Sequence, residues 1–278
     1  MCGIAGIFNV NGNSVSIRLL EKMTRIMGHR GPDGEGFWTD SVVGLGHRRL
    51  AIIDLSPVGH QPMQNDDGSL VITYNGEVYN YQNLRCELEA KGYKFHSRTD
   101  TEVVLYSYQE WGVDCLKKFN GMFSFAIWNA KQRMLFLARD RYGIKPLYYY
   151  FHRGVFLFAS EIKAILQHPA VSVSVSVAAL NEYFTFQNTF SDLTLFEGIR
   201  LLPAGHTLTV GLDENASLRT RRYWDYAFDS DQNLTEAECL KELRRLFEQA
   251  VNRQLISDVE VGSYLSGGID SGSITSIT

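Results

Sequence analysis

Apolar and polar residues alternate along the chain with a period that changes several times, and each change marks an element. "GIAGIFNV" is a short apolar run of the kind that forms a buried strand, and "NGN" behind it is a turn signal. Ile17, Leu20, Met23, Ile26 and Met27 recur at helical spacing, which predicts a helix over 16–28 stopped by Gly28. "HRGPDGEG" follows as a glycine-rich loop, and "VVGLGHRRLAIID" and "LVITYNGEVYN" read as strands interrupted by glycine. "YQNLRCELEAKGY" is an amphipathic helix ending at Gly92, and "RTDTEVVLYSYQEWG" predicts another. Four strand-like segments then arrive in succession: "MFSFAIWN", "RMLFLARD", "LYYYF" and "GVFLFAS". "SEIKAILQ" opens a helix with Ser160 as its expected cap. Strands in runs, rather than strictly alternating with helices, predict an α+β fold with antiparallel pairing. "VSVSVSV" at 171–177 fits either a half-exposed strand or an extended connection.

The grammar changes after residue 210. Residues 211–234 are polar and aperiodic, as a linker would be. At Thr235 a T-x-x-E capping box with Glu238 opens a helix with the apolar stripe Leu240, Leu243, Leu246, Phe247, Ala250 and Val251. "DVEVGSYL" predicts a strand, "SGGIDSGS" a loop, and a helix should follow, which is α/β order. The expected organisation is therefore a domain over 2–210, a linker over 211–234, and the truncated start of a second, α/β unit over 235–278.

Composition narrows the function. Hydrophobic residues make up 45% and charged residues 21% of 278, the profile of a soluble globular protein. A net charge of −4 argues against a nucleic-acid partner, and no apolar run reaches the length of a membrane span. The start of the chain does not read as a signal peptide, so a cytoplasmic location is expected. Cys2, Cys86, Cys115 and Cys239 are far apart with no CxxC pair, which fits neither a zinc site nor a redox motif. Packing is the expected role of the last three.

Cys2 is open to a second reading. Removal of Met1 would leave a thiol and a free α-amine on one residue. An α-amine has an unperturbed pKa of about 7.7–8.0 and can act as a base near neutrality. Arg49 is either a surface cation or a bidentate clamp for a small carboxylate. Asn75 and Gly76 read either as an N-G hairpin turn or as an amide and a backbone N–H aimed at an oxyanion. Glu77 and Asp100 are carboxylates able to hold a substrate ammonium, and Asp100 alternatively caps the helix that follows it. For Asp140, Arg141 and Lys145 a turn fixed by Gly143 and Pro146 is favoured over charged links at the edge of a site, and the same restraint covers His29, Arg30 and Asp33. His47 and His60 receive no role.

Eight motifs in order, "MCGIAGIF", "HRGPDG", "GHRRLAIIDLS", "YNGEVYN", "SRTDTEVVL", "FNGMFSFAIWN", "ARDRYGIKPLYY" and "SEIKAIL", resemble the class II glutamine amidotransferase domain of the glutamine-dependent asparagine synthetase family. The resemblance covers residues 2–210. It implies an N-terminal-nucleophile hydrolase fold, an αββα sandwich of two antiparallel sheets between helical layers. It implies that Cys2 attacks the glutamine carboxamide, that Arg49 binds the α-carboxylate, and that Glu77 and Asp100 bind the α-amino group. Asn75 and Gly76 would hold the oxyanion, and backbone groups around Leu50 and Ile52 would complete the pocket.

"YLSGGIDS" sets Ser266, Gly267, Gly268, Asp270 and Ser271 between a predicted strand and a predicted helix, where backbone N–H groups can face a phosphate. It lacks the G-K-[ST] ending of a Walker A loop and resembles the pyrophosphate loop of ATP pyrophosphatases, with Leu265 beside the nucleotide. The resemblance implies glutamine, aspartate and ATP as substrates, Mg²⁺ accompanying ATP, no resident metal, and a reaction giving asparagine, AMP and pyrophosphate. It is compatible with a homodimer. A different carboxylate acceptor, such as a sugar acid or a natural-product intermediate, and a glutamine-binding module without turnover are the competing expectations. Glucosamine-phosphate synthases and phosphoribosyl amidotransferases share the glutaminase logic but are disfavoured by the adenylating loop.

Overall fold

The computed structural model describes residues 1–212, 218–228 and 234–278. Parts of the expected linker, 213–217 and 229–233, lie outside the described residues. Strands are numbered in chain order: β1 (Gly3–Asn9), β2 (Gly34–Asp40), β3 (Val43–Arg49), β4 (Met63–Gln64), β5 (Leu70–Val78), β6 (Gly121–Asn129), β7 (Met134–Arg139), β8 (Tyr148–His152), β9 (Val155–Ala159), β10 (Ile199–Leu201), β11 (His206–Gly211) and β12 (Leu218–Arg222). Among the described residues they form two six-stranded sheets, ordered β10-β8-β9-β1-β3-β2 and β12-β11-β7-β6-β5-β4. Every pairing is antiparallel.

The sheets stack face to face. Ile4, Phe8 and Leu45 of the first sheet share one core with Ala126, Trp128 and Leu137 of the second, and the Phe8 and Trp128 rings meet edge-on at 5.2 Å. Alternate residues of β1 face the other way: Ala5 and Ile7 pack with α1 (Ile17–Arg25) and α5 (Ile162–Ile165). The far face of the second sheet is covered by α2 (Tyr81–Ala90), α3 (Asp100–Trp111) and α4 (Cys115–Lys118). Both faces of β1 are thus occupied, which is why its sequence is continuously apolar. Gly6 is required there, because a Cβ would lie 2.1 Å from the Phe158 ring. Trp128 is 1% exposed at the centre of the sandwich, so Trp128→Ala is expected to lower stability by about 3–5 kcal/mol, measured by denaturant unfolding.

The αββα layering expected from the sequence is present, and several local readings are corrected. The strand through "GHRRL" ends at Arg49, and residues 50–56 leave the sheet as a loop. Ser160 does not cap α5. Its Oγ accepts from Ile4 N, tying β1 to the turn after β9. Thr99, not Asp100, is the N-cap of α3, its side chain accepting from Glu102 N. Residues 171–176 are an extended connection with a single bridge, Val175 to Phe196, and Val177 already opens α6 (Val177–Phe186). Leu218–Arg222, inside the expected linker, pairs with β11 as the edge strand β12. Cys115 is buried, but Cys86 and Cys239 are exposed on their helices.

Downstream, Thr235 and Glu238 form the expected capping box of α7 (Glu236–Arg253). "DVEVGSYL" is not a strand, since no described strand lies beside it to complete a ladder. The last helix, α8 (Ile269–Thr275), follows Gly268.

Candidate active site

At the head of β1, Cys2 is held from two sides. Arg30 Nε donates to its carbonyl at 2.9 Å while a second Arg30 nitrogen reaches Glu161 at 3.2 Å. The Cys2 Sγ lies against the backbone of Leu50, accepting from Leu50 N at 3.3 Å. Asp33 in the glycine-rich loop accepts from Ala51 N and so fixes the same segment. Burial pushes the thiol up, and the Leu50 N–H and the nearby terminal ammonium pull it back. The α-amine of Met1 is pulled down, first by burial, with Cys2 opposing and Arg30 and Lys145 assisting.

Cys2, Arg49, Asn75, Glu77, Asp100 and Lys145 line one cavity of about 110 Å³, a size for a small molecule and not for a macromolecule. Arg49 is the last residue of β3 and is 7% exposed. Its guanidinium donates to the carbonyls of Ser56, at 2.9 Å, and Asp54, and Gly59 leaves room for it: a Cβ at Gly59 would sit 2.3 Å from Nη2. Leu50 and Ile52 line the cavity as well, but the Ile52 carbonyl already accepts from Asp258 N at 2.9 Å.

Asn75 and Gly76 are not a hairpin turn. They lie within β5, opposite Ser124 and Phe123 of β6. A side chain at Gly76 would collide with the β6 backbone, 2.5 Å from Met122 O. Asn75 is 1% exposed, and its Nδ2 has no hydrogen-bond partner among the described residues. A buried amide donor without a partner is costly and uncommon, and this one belongs to a side chain that lines the same cavity as the Cys2 thiol.

Asp100 is buried at the start of α3, accepting from Tyr74 Oη at 2.6 Å and Val78 N at 3.0 Å. Burial raises its pKa against these hydrogen bonds. The Glu77 carboxyl makes no hydrogen bond or ion pair among the described residues. It is pushed up to about 7, first by burial and then by the charge of Asp100, with Lys145 opposing. Two carboxyl groups of one sign in a partly dry pocket favour a bound cation.

Sequence reasoning underestimated several residues. Asp140 does fix the turn, accepting from the N–H groups of Tyr142, Ile144 and Lys145, but that turn also delivers Lys145, 4% exposed, into the cavity beside Cys2 and Glu77. Burial lowers its pKa. Arg30, Asp33 and Asp54 also act on the site through backbone atoms. Their only signal in the sequence was the density of glycine and proline around them. His47 is held neutral, its pKa lowered to about 3 by burial, with Nε2 against Tyr74 O.

The proposed nucleotide loop lies apart from this cavity. Ser266 N and Oγ pair with Ser271 Oγ, which donates to Gly268 O. Gly267 has φ 83°, a glycine conformation, and Leu265, Gly268 and Asp270 are exposed around it.

Two antiparallel sheets between helical layers, with a cysteine at the head of a central strand, define an N-terminal-nucleophile type of amidotransferase fold. The glutamine amidotransferase domain family matches residues 1–224, and the asparagine synthase family matches residues 242–278. The chain belongs to the glutamine amidotransferase domain family. It is 41% identical to glutamine-hydrolyzing asparagine synthetase 3 of Bacillus subtilis, over 100% of this chain and 45% of the relative. It is 35% identical to asparagine synthetase B of Escherichia coli K12, again over 100% of this chain and 45% of the relative. It is also 35% identical to amidase chry2 of Gibberella zeae, over 99% of the chain and 42% of the relative. The chain thus spans under half the length of these curated relatives. The glutamine phosphoribosylpyrophosphate amidotransferase of B. subtilis superposes with a TM-score of 0.58 over 80% of this chain and 49% of that one, at 19% identity, a likeness of fold.

Proposed function

We propose that this chain is the glutamine-hydrolysing part of an asparagine synthetase, with Cys2 as nucleophile once Met1 is removed. The observation that carries the reading is the unpartnered Asn75 Nδ2 in the cavity that also holds the Cys2 thiol, the Arg49 guanidinium and two carboxyl groups. These groups match glutamine in order: guanidinium to α-carboxylate, Glu77 and Asp100 to α-ammonium, thiol and amide donor to the carboxamide.

In this mechanism the Cys2 α-amine takes the thiol proton as sulfur adds to the carboxamide carbon, and the oxyanion forms against Asn75 Nδ2 and Gly76 N–H. Collapse breaks the C–N bond, the α-ammonium returns the proton to the departing nitrogen, and ammonia leaves a γ-glutamyl thioester. Water, deprotonated by the same amine, then releases glutamate. Ammonia would amidate aspartate activated by ATP as the β-aspartyl adenylate, with loss of pyrophosphate and then AMP. The exposed backbone turn at Ser266–Ser271 suits a phosphate anion. In this reading Mg²⁺ would accompany the nucleotide. Among the described residues no helix is long and apolar enough to cross a membrane, and a cytoplasmic location belongs to the same proposal.

The relatives named amidases, at a similar level of identity over 99% of the chain, favour a second reading in which the acceptor is another carboxylate. ATP-dependent amide formation by the full-length protein, screened with aspartate against other carboxylic acids, separates the two. Aspartate as preferred acceptor supports the first, and preference for another acid overturns it.

Glu77 gives the glutaminase a pH signature. Holding an ammonium requires the carboxylate, so below about 7 a proton must leave before glutamine binds. The expected kcat/KM for glutamine falls at least about tenfold per unit as pH drops below 7, and Glu77→Gln makes this limb shallower, leaving the part set by the Cys2 α-amine, while lowering kcat/KM throughout. A wild-type profile flat from pH 5 to 7, measured as glutamate release, would contradict the assignment.

A further inference from the structure

We infer that Asp258, in the second unit, is a positioning residue for the glutamine pocket, acting through Asp54 on Arg49. This rests on the reading that Arg49 binds the α-carboxylate of glutamine. Asp258 makes a reciprocal pair of hydrogen bonds with the pocket loop: its backbone N donates to Ile52 O at 2.9 Å, and its carboxylate accepts from Asp54 N at 2.7 Å. Nearby, Ile256 packs against the core under α2 and α3, which anchors the approach of the segment.

Asp54 is the junction at which this contact reaches the chemistry. It is a non-glycine residue with φ 55°, a conformation that costs about 1 kcal/mol unless neighbours hold it. Its carboxylate accepts from Ser56 N at 3.1 Å, from Ser56 Oγ, and from Arg98 N at 2.8 Å. Burial pushes that carboxyl up, but these donors outweigh it and keep it below the usual range, so it is an anion at neutral pH. Its carbonyl and that of Ser56 accept from the Arg49 guanidinium. Arg98 lies two residues before Asp100, so one residue sets both the guanidinium and the approach to the ammonium-binding carboxylate. Of the four residues that bond to Asp54 here, Ser56, Arg98, Arg49 and Asp258, only Asp258, on its N–H, comes from beyond residue 234. Releasing it frees the peptide between Ile53 and Asp54 to rotate, and the guanidinium follows the Asp54 carbonyl.

The consequence is an effect on glutamine binding rather than on bond cleavage. In the full-length protein, Asp258→Ala is expected to raise KM for glutamine about fivefold, since the contact is partly exposed, with kcat at saturating glutamine changed less than twofold. Asp258→Asn keeps an oxygen that accepts from Asp54 N and should restore most of the lost affinity. Wild-type KM in Asp258→Ala, an Asn variant no better than Ala, or a fall in kcat with KM unmoved would each overturn the proposal. Arg49→Lys, measured alongside, separates this from the underlying reading. If it raises KM for glutamine while Asp258→Ala does not, only the Asp258 link fails. If it also leaves KM unchanged, the α-carboxylate assignment itself fails.

Discussion

Cys2→Ala is expected to lower glutamine-dependent activity at least about 10⁴-fold while ammonia-dependent amidation by the full-length protein continues. The loss is nearly complete because, among the described residues, the hydroxyl groups that also line the cavity, on Tyr74, Thr99 and Thr101, are engaged with Asp100, Glu102 N and Gln61, whereas the Cys2 Sγ is fixed at the head of β1 by Leu50 N–H and the Arg30-held carbonyl. Retention of the ammonia-dependent reaction is the informative half, since it shows that the second unit does not need the thiol. Glutamate release by the Cys2→Ala protein at the normal rate would place the nucleophile elsewhere.

The second large effect is on Asn75. Its Nδ2 is buried and without a partner among the described residues, so in the free protein the amide bears the cost of an unmade hydrogen bond. In the proposed mechanism that bond forms when negative charge develops on the carboxamide oxygen. Asn75→Ala is expected to lower kcat about 10²–10³-fold with a small change in KM, the signature of an interaction made in the transition state. Asn75→Asp should be worse, because it places an acceptor where a donor is needed. Since the lost donor is unbonded in the resting protein, Asn75→Ala should unfold near the wild-type denaturant midpoint. A drop in kcat accompanied by a large loss of stability would reassign Asn75 to the fold.

Much of this site was legible in the sequence because its members sit at element ends, where pattern and chemistry coincide. Arg49 closes β3, Asp100 opens α3, and Cys2 precedes a fully buried strand. The sheets were legible because β6 to β9 are short apolar runs that follow one another with turns between them. Other features depend on contacts distant in sequence. Asn75-Gly76 has the composition of a hairpin turn, yet it runs on as strand because β6 passes within 2.5 Å of where a Gly76 Cβ would lie. Lys145 sits in a motif that reads as a turn, and only the packing of that turn against the head of β1 turns its ammonium inward. Leu218–Arg222 is too polar to read as a strand, but an edge strand buries little. Asp54 and Asp258 are separated by 204 residues, and no local pattern relates them.

The most direct test concerns the start of the chain. Protein whose Met1 is shown by intact mass to be absent, and the same protein carrying an N-terminal extension, are each mixed with glutamine, and glutamate and ammonia are quantified. The processed form should release both in equal amounts and, on rapid quenching, carry one glutamyl group on Cys2, and the extended form should release neither. Equal turnover by the two forms, or none by the processed form, would contradict catalysis by Cys2 with its own α-amine as base.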